Sequence, residues 1–460
     1  MRLLSRLALM GYSAALTVAQ PLLRRKLRRR ARVEAGYGEA VEERFGHYEP
    51  GGWAQPAEAA AVAGPTVWLH AVSLGETRAA AVLVAALRAR LPGMRLLLTN
   101  GTATGRAEGR TLLRPGDRQV WQPWDTPQAV RRFLRAFAPD IGILMETEVW
   151  PNLVAGCVEQ GVPLVVTNAR LNTGSFVKSE RLHLLARPAY ARLTAVWAQH
   201  ADDAARLRRL GAPVQGVFGN LKFDAAPDAA LLARGRHWRD AGARPVVLFA
   251  SSREGEEAMW IEEFKRKVPA AGAECRPLAT EMIAEGLSGA SDVQWLLVPR
   301  HPNRFDEVAQ LLQAAGLRVA RRSQWPDGEG APPEADVWLG DSVGEMALYY
   351  GMAHAALLGG SFETLGGQNL IEAAACGCPV VMGPHTFNFA DAAEQAAAAG
   401  AAMRVADMAQ AMEVAVRLVG DPAAQRKAAA ASTTFAASHS GASARTADAI
   451  CALLARRRVG

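Results

Sequence analysis

The sequence predicts an α/β protein built from two doubly wound parallel-sheet domains facing a cleft, with an N-terminal membrane anchor helix. Short apolar runs recur in two series, each separated by helical stretches, which is the pattern of a parallel sheet. A Pro- and Asp-containing break between the two series, around 220–230, marks a linker. An apolar run followed at once by a basic cluster opens the chain. At 460 residues and half apolar composition, there is material for two or three sizeable cores.

Taken in order, residues 1–32 form the anchor and its basic cluster. The apolar run from Leu7 to Leu23 is near the lower limit for crossing a bilayer. The basic cluster directly behind it opposes a cleaved signal peptide and should stay cytoplasmic. A spanning helix and a monotopic anchor both remain open. Residues 33–225 make the first domain, with strands expected at Thr66–His70, Arg95–Thr99, Ile141–Met145, Pro163–Thr167, Ala195–Gln199 and Val214–Phe218. Residues 226–421 make the second, with strands at Pro245–Ala250, Trp295–Pro299, Asp336–Leu339, Ala355–Leu358 and Pro379–Met382. Residues 268–290 lose periodicity and read as a helical or loop insertion. Residues 422–460 are Ala-rich and read as a helical tail.

Charge narrows the function. The net charge of +7 comes from residues 1–32, which hold nine basic residues and no acid; the remainder carries 43 basic against 45 acidic. Positive charge is therefore one local device, and a nucleic-acid surface spread over the fold is excluded. Five cysteines without a CxxC pair argue against a disulfide framework. Cys376 and Cys378 flank a turn glycine and read as small buried hydrophobes. The scattered histidines and the lack of an Asp-x-Asp pair disfavour a metal site.

Candidate chemistry clusters where strands end. In Trp68-Leu69-His70-Ala71-Val72-Ser73-Leu74-Gly75-Glu76-Thr77, the carboxylate of Glu76 lies just past a strand's carboxyl end, where open α/β sheets bind ligands. It serves there as a general base or as a complement to a helix dipole. Asp140 to Asn152 places Glu146 and Glu148 at another strand end, either as functional acids or as surface acids at a helix start. Lys222, in Gly219-Asn220-Leu221-Lys222-Phe223-Asp224, could face a phosphate or simply solvent. In the second half, Pro299 and Arg300 close a strand with a guanidinium suited to phosphate. Val343, Gly344 and Glu345 form a further strand-end loop. The stretch Gly359-Gly360-Ser361-Phe362-Glu363-Thr364-Leu365-Gly366-Gly367-Gln368 leads into a helix opened by Asn369, Leu370, Ile371 and Glu372. Its glycines let backbone approach a ligand, its helix start suits an anion, and Glu372 could accept from sugar hydroxyls. Strand, glycine turn, acid-bearing helix and Pro-led strand together resemble the donor half of a nucleotide-sugar glycosyltransferase with two Rossmann-like domains.

The whole motif set resembles a single family, the 3-deoxy-D-manno-octulosonic acid (Kdo) transferases of lipopolysaccharide and lipid A synthesis, which have the GT-B type of fold. The matching stretches are Ser73–Thr77, Met145–Asn152, Asn168–Leu171, Leu221–Asp224, Val298–Pro302, Gly344-Glu345 and Met382–Phe389, in the family's order. The resemblance implies that Glu76 is the general base and that Glu146 and Lys222 support the transition state. It implies that Pro299, Arg300, Val343, Gly344, Glu345, Asn369, Leu370, Ile371 and Glu372 hold the cytidine monophosphate of a CMP-Kdo donor. It further implies inverting transfer to lipid IVA without metal or other cofactor, on the cytoplasmic face of the inner membrane, where anionic lipids would meet the basic cluster. One position departs: the family commonly has His where this chain has Gln368, so a cationic role there is lost. A nucleotide-sugar 2-epimerase on the same scaffold is the alternative, and residues 1–32 count against it.

Overall fold

Near-continuous apolar runs build strands that are covered on both faces, and both sheets of the protein are of this kind. The computed structural model describes residues 3–48, 64–267, 292–325 and 334–459. The insertion expected at 268–290 lies outside the described residues. The chain divides into two units, Met1–Asp224 with Ser440–Gly460, and Ala225–His439.

The first unit holds seven parallel strands: β1 (Thr66–His70), β2 (Arg95–Asn100), β3 (Arg118–Trp121), β4 (Ile141–Met145), β5 (Leu164–Ala169), β6 (Ala195–Ala198) and β7 (Val214–Val217). They lie in the order 3-2-1-4-5-6-7. The order reverses between β1 and β4, which pair Val67 with Ile141 through His70 with Leu144. The helices that matter here are α1 (Leu3–Val18), α2 (Gln20–Val33), α3 (Leu74–Arg90), α4 (Ala103–Arg110), α5 (Pro127–Phe137) and α6 (Pro151–Glu159). One face of the sheet packs around Trp68, Phe133 and Val166. The other packs around Leu69, Leu83 and Trp197.

The second unit repeats the plan with β8 (Val246–Ser252), β9 (Gln294–Pro299), β10 (Val319–Arg321), β11 (Val337–Leu339), β12 (Ala355–Leu358), β13 (Val380–Met382) and β14 (Ala402–Arg404). Their order is 10-11-9-8-12-13-14, all parallel, and it reverses between β8 and β12. Two doubly wound parallel sheets are therefore present, as the apolar runs indicate.

Three strands lie outside the expected set: β3, β10 and β14. Each is the edge of its sheet or, for β10 and β14, an edge of only three residues. An edge strand needs no continuous apolar run, because one side of its ladder faces no neighbour; β10 is only half-buried throughout.

The N-terminal segment and the tail differ from expectation. No helix among the described residues is long and apolar enough to cross a membrane. The apolar run divides at Ala19, and Pro21 sits in the first turn of α2. At about 1.5 Å per residue, the 16 residues of α1 span roughly 24 Å against a hydrocarbon core of about 30 Å. Helix α1 lies against α6 and the helix His183–Tyr190. The 422–460 tail is shared between the units. Pro422–His439 belongs to the second, whereas Ala442–Val459 returns to the first and packs on α3, burying Ala447, Ile450 and Leu454. Asp224 holds that return by accepting from the backbone N–H groups of Gly441 and Ser443.

Gly359, directly after β12, has no room for a side chain: a Cβ would stand 2.1 Å from the Ser251 carbonyl oxygen. Gly359→Ala should therefore destabilise the second unit by about 2 kcal/mol. The check is a lower urea midpoint by tryptophan fluorescence, and an unchanged midpoint would contradict the close approach.

Candidate active site

In the first unit the acids gather at the point where strand order reverses. Glu76 follows β1 and Glu146 follows β4, and those strands are neighbours. Ser73 caps α3, its Oγ accepting from the Glu76 N–H at 3.3 Å. The Glu76 carboxylate reaches back, accepting from the Val72 N–H at 2.9 Å and from the Ser73 hydroxyl at 3.0 Å. That is a variant of the capping box, with the carboxylate on the N–H one residue before the cap, so the dipole-complementing role considered from sequence is real. It does not exhaust the residue. Burial raises the Glu76 carboxyl to about 7 despite these donors, and the Glu146 and Glu148 charges push in the same direction. A half-buried carboxyl poised near neutrality is the state a general base needs.

Glu146 adopts a left-handed backbone, φ 57°. Its N–H donates to Thr167 O at 3.1 Å and its carbonyl accepts from Arg170 N–H at 3.3 Å. Such a conformation costs a non-glycine residue about 1 kcal/mol or more and persists only where surroundings impose it. Burial also raises the Glu148 carboxyl, partly offset by the Trp150 indole, which donates to it at 2.7 Å. His70 is a structural neighbour: burial drives its pKa down to about 4, and its Nδ1 lies 3.0 Å from Thr99.

Lys222 lies in a 3-10 turn, Leu221–Asp224, that packs against α3. The turn is held by Asn168, whose Oδ1 accepts from Leu221 N–H at 3.0 Å. Asn168 itself has φ 52° at the end of β5. The sequence offered Asn168 only as a motif member; its function as the peg for the lysine turn needs the fold to be seen.

In the second unit the reversal lies between β8 and β12, and the glycine loop follows β12. Glu256, fully buried, was missed because an acid in a helix's first turn reads as a dipole complement. It accepts from Gly360 N–H at 2.7 Å, Phe362 N–H at 3.0 Å and Arg253 N–H at 2.9 Å, tying the glycine loop to the end of β8. Arg300, exposed after β9, donates through Nε to Gln368 Oε1 at 3.1 Å. The structure thus brings Arg300 and the glycine loop together.

Other expected donor-site residues act differently from their side-chain chemistry. Leu370 and Ile371 are buried core residues, so only their backbone can meet a ligand. Asn369 caps its helix, accepting from Ile371 N–H at 3.2 Å. That helix has only six residues, which makes its dipole weak. Glu372 is half-buried in its first turn. The Glu345 carboxylate is taken by Arg234 and Arg322, each at 2.9 Å, leaving the exposed Val343 and the positive-φ Gly344 as the open part of that loop. Pro299 ends β9 and is buried. Cys376 and Cys378 are free thiols raised by burial, as small hydrophobes would be. Among the described residues no group of three His, Cys, Asp or Glu side chains is arranged to hold a metal ion.

Residues 39–225 match the family model described as "3-Deoxy-D-manno-octulosonic-acid transferase (kdotransferase)". The chain is 47% identical over 446 residues to a 3-deoxy-D-manno-octulosonic acid transferase of Bordetella pertussis, covering 95% of this chain and 98% of that one. It is 30% identical to a probable mitochondrial 3-deoxy-D-manno-octulosonic acid transferase of Arabidopsis thaliana, over 75% of this chain and 73% of that one. Among solved structures, the UDP-GlcNAc 2-epimerase of Neisseria meningitidis shares the fold at a TM-score of 0.52 and 15% identity, over 84% of this chain and 99% of that one. That likeness extends to the fold alone. The chain belongs to the 3-deoxy-D-manno-octulosonic acid transferase family.

The carboxyl cluster makes a signed prediction. Glu76 should titrate near pH 7 in the folded protein, read by carbon NMR of labelled glutamate side chains. Glu148→Gln removes a repelling charge and should move that midpoint to lower pH. A midpoint that stays put, or rises, would mean that the two carboxylates do not interact.

Proposed function

We propose that this chain transfers Kdo from CMP-Kdo to lipid IVA, the phosphorylated, acylated glucosamine disaccharide that precedes lipid A, with inversion and without a metal cofactor. The observation that carries the reading is a carboxyl raised to about 7 where β1 and β4 end, in a chain of this family. The acceptor hydroxyl gives its proton to Glu76 as its oxygen attacks the anomeric carbon of Kdo. The anomeric carbon–oxygen bond breaks on the opposite side, and cytidine monophosphate leaves with the electron pair. One in-line displacement inverts the centre.

The leaving phosphate needs positive charge or N–H donors, because charge develops on it as the bond stretches. Arg300 beside the glycine loop supplies the first, and the N–H groups at Gly366 to Asn369 are candidates for the second. Lys222 and Glu146 sit with the base in the first unit. Lys222 would stabilise developing negative charge, and Glu146 would keep Glu76 basic by repulsion. The epimerase alternative is supported by fold likeness alone and by no observation at the site.

For localisation, we propose a monotopic attachment to the cytoplasmic face of the inner membrane. Leu3, Leu7, Met10 and Val18 are all exposed on α1 at helical spacing, and Leu22 continues onto α2. Beside them Arg25, Lys26, Arg29 and Arg30 line an open groove of about 760 Å³. An apolar stripe next to clustered cations is the composition that lies in a bilayer interface and attracts anionic lipid.

Mixing the protein with CMP-Kdo and lipid IVA, then weighing the products, tests the function directly. Glu76→Gln should lower turnover by about 10²–10⁴-fold while calorimetry gives donor affinity within several-fold of wild type. Chelator treatment should leave wild-type turnover in place. Near-normal turnover of Glu76→Gln would remove the base assignment.

Attachment is tested by sedimentation with anionic vesicles. Replacing Leu3, Leu7 and Met10 together by Ser should release much of the protein, and added salt should weaken only the electrostatic remainder. Turnover of detergent-dispersed acceptor should change little. Equal losses on dispersed and vesicle-borne acceptor would instead put these residues in the acceptor site.

A further inference from the structure

Asn152 closes the Glu-x-Glu-x-Trp-Pro-Asn stretch, yet the chemistry above gives it no role. It lies 5% exposed at the start of α6. The Trp150 side chain caps none of the first N–H groups of that helix, so they need a partner from elsewhere. Asp125, also 5% exposed, provides it from the loop before α5. Its carboxylate accepts from Asn152 N–H at 3.1 Å and Leu153 N–H at 2.7 Å, and the Asn152 side-chain amide donates to the Asp125 carbonyl at 2.6 Å. Two residues of α1 complete the cluster. The Tyr12 hydroxyl hydrogen-bonds the Asp125 carboxylate, and Ser13 Oγ lies 2.8 Å from Asn152 Oδ1.

We propose that α1 is a positioning element for the acid loop, with Tyr12 and Ser13 locking Asp125 and Asn152 and thereby fixing Trp150 and the Glu148 carboxylate bonded to it. The loop from Glu146 to Trp150 is short and pinned at both ends. Glu146 is tied to β5 by its N–H and carbonyl, and Trp150 is tied to the first turn of α6, where Pro151 restricts the entry angle. With the β4 end fixed by the sheet, the remaining freedom of the loop is that of the α6 start. A tilt there moves the Trp150 indole, which holds Glu148 at 2.7 Å, and Glu148 is one of the two charges that act on Glu76.

The cluster is buried and polar, so its partners are interdependent. A buried carboxylate that loses a donor is costly to leave ionised, and burial already raises Asp125 to about 6 against the pull of three donors. Removing Tyr12 therefore weakens the grip of Asp125 on α6. The same helix exposes Leu3, Leu7 and Met10 on its other side. The face that would meet lipid and the face that seats the acid loop thus belong to one rigid rod.

This inference rests on Glu76 acting as base, and its test separates the two. Full-length protein is assayed with detergent-dispersed lipid IVA, comparing Tyr12→Phe with Ser13→Ala, Asp125→Asn, and all three together. The expected result is a five- to fiftyfold fall in kcat, with KM for CMP-Kdo unchanged. The triple variant should fall no further than the worse of the others, because both act on one cluster. Hydrogen exchange should speed up in peptides covering 146–153 and stay unchanged over Thr66–His70. Leu4→Ala changes an exposed side chain of α1 away from the cluster and should keep kcat within twofold. A kcat within twofold in the cluster variants, strictly additive losses, or an equal loss in Leu4→Ala would overturn the proposal. If Glu76→Gln is inactive while the cluster variants are normal, only this inference fails; if Glu76→Gln is active, the base assignment fails first.

Discussion

The pairing of β1 with β4 decides where the chemistry of the first unit lies. Strand order reverses across that pair, so the chain leaves β1 and β4 toward opposite sides of the sheet and opens a crevice at their carboxyl ends. Glu76 and Glu146 are thrown together there from positions seventy residues apart in sequence. The register needs Gly142 opposite Trp68: a Cβ on Gly142 would stand 2.6 Å from the Trp68 ring. A packing requirement deep in the sheet is thus what brings two acids to one rim. The second unit uses the same device between β8 and β12, with the glycine loop in place of the acid.

Desolvation is the largest effect on the Glu76 carboxyl, and charge repulsion from Glu146 and Glu148 adds to it more weakly. The capping donors from Val72 and Ser73 act against both and keep the shift moderate. The competition matters for chemistry. Without burial the carboxyl would be a weak base at neutral pH; without the donors it would be protonated there and unable to accept a proton. The capping box, first considered as a rival to catalysis, is the arrangement that orients the carboxylate and tempers its basicity.

Much of this plan was legible in the sequence, for a physical reason. Interior parallel strands are buried on both faces and must be apolar runs, so β1, β4, β8 and β12 announce themselves, and the residues just past them are the natural candidates. What stayed hidden depends on partners distant in sequence. Edge strands β3, β10 and β14 lack the apolar signal. Asn168, Glu256 and Asp125 look like ordinary turn or helix-start residues until their acceptors meet Leu221, Gly360 and Leu153. The N-terminal run reads as one apolar segment, because hydropathy does not register the turn at Ala19 or the face that α1 buries against its own unit. Leu370 and Ile371 were credited with ligand contact by motif position, although their side chains pack inward.

The Gln368 position shows how a departure from a family pattern can be accommodated by physical chemistry. A histidine there could be cationic and would then repel the neighbouring Arg300. Glutamine offers a neutral carbonyl that accepts from Arg300 Nε, while its backbone N–H donates to Gly359 O at 3.0 Å. The side chain therefore bridges the guanidinium to the same glycine loop that Glu256 holds from beneath. The Nε contact fixes the orientation of the guanidinium, a group whose fork geometry suits a phosphate. The loop glycines, Glu256 and Gln368 form one hydrogen-bonded frame that links Arg300 to the glycine loop.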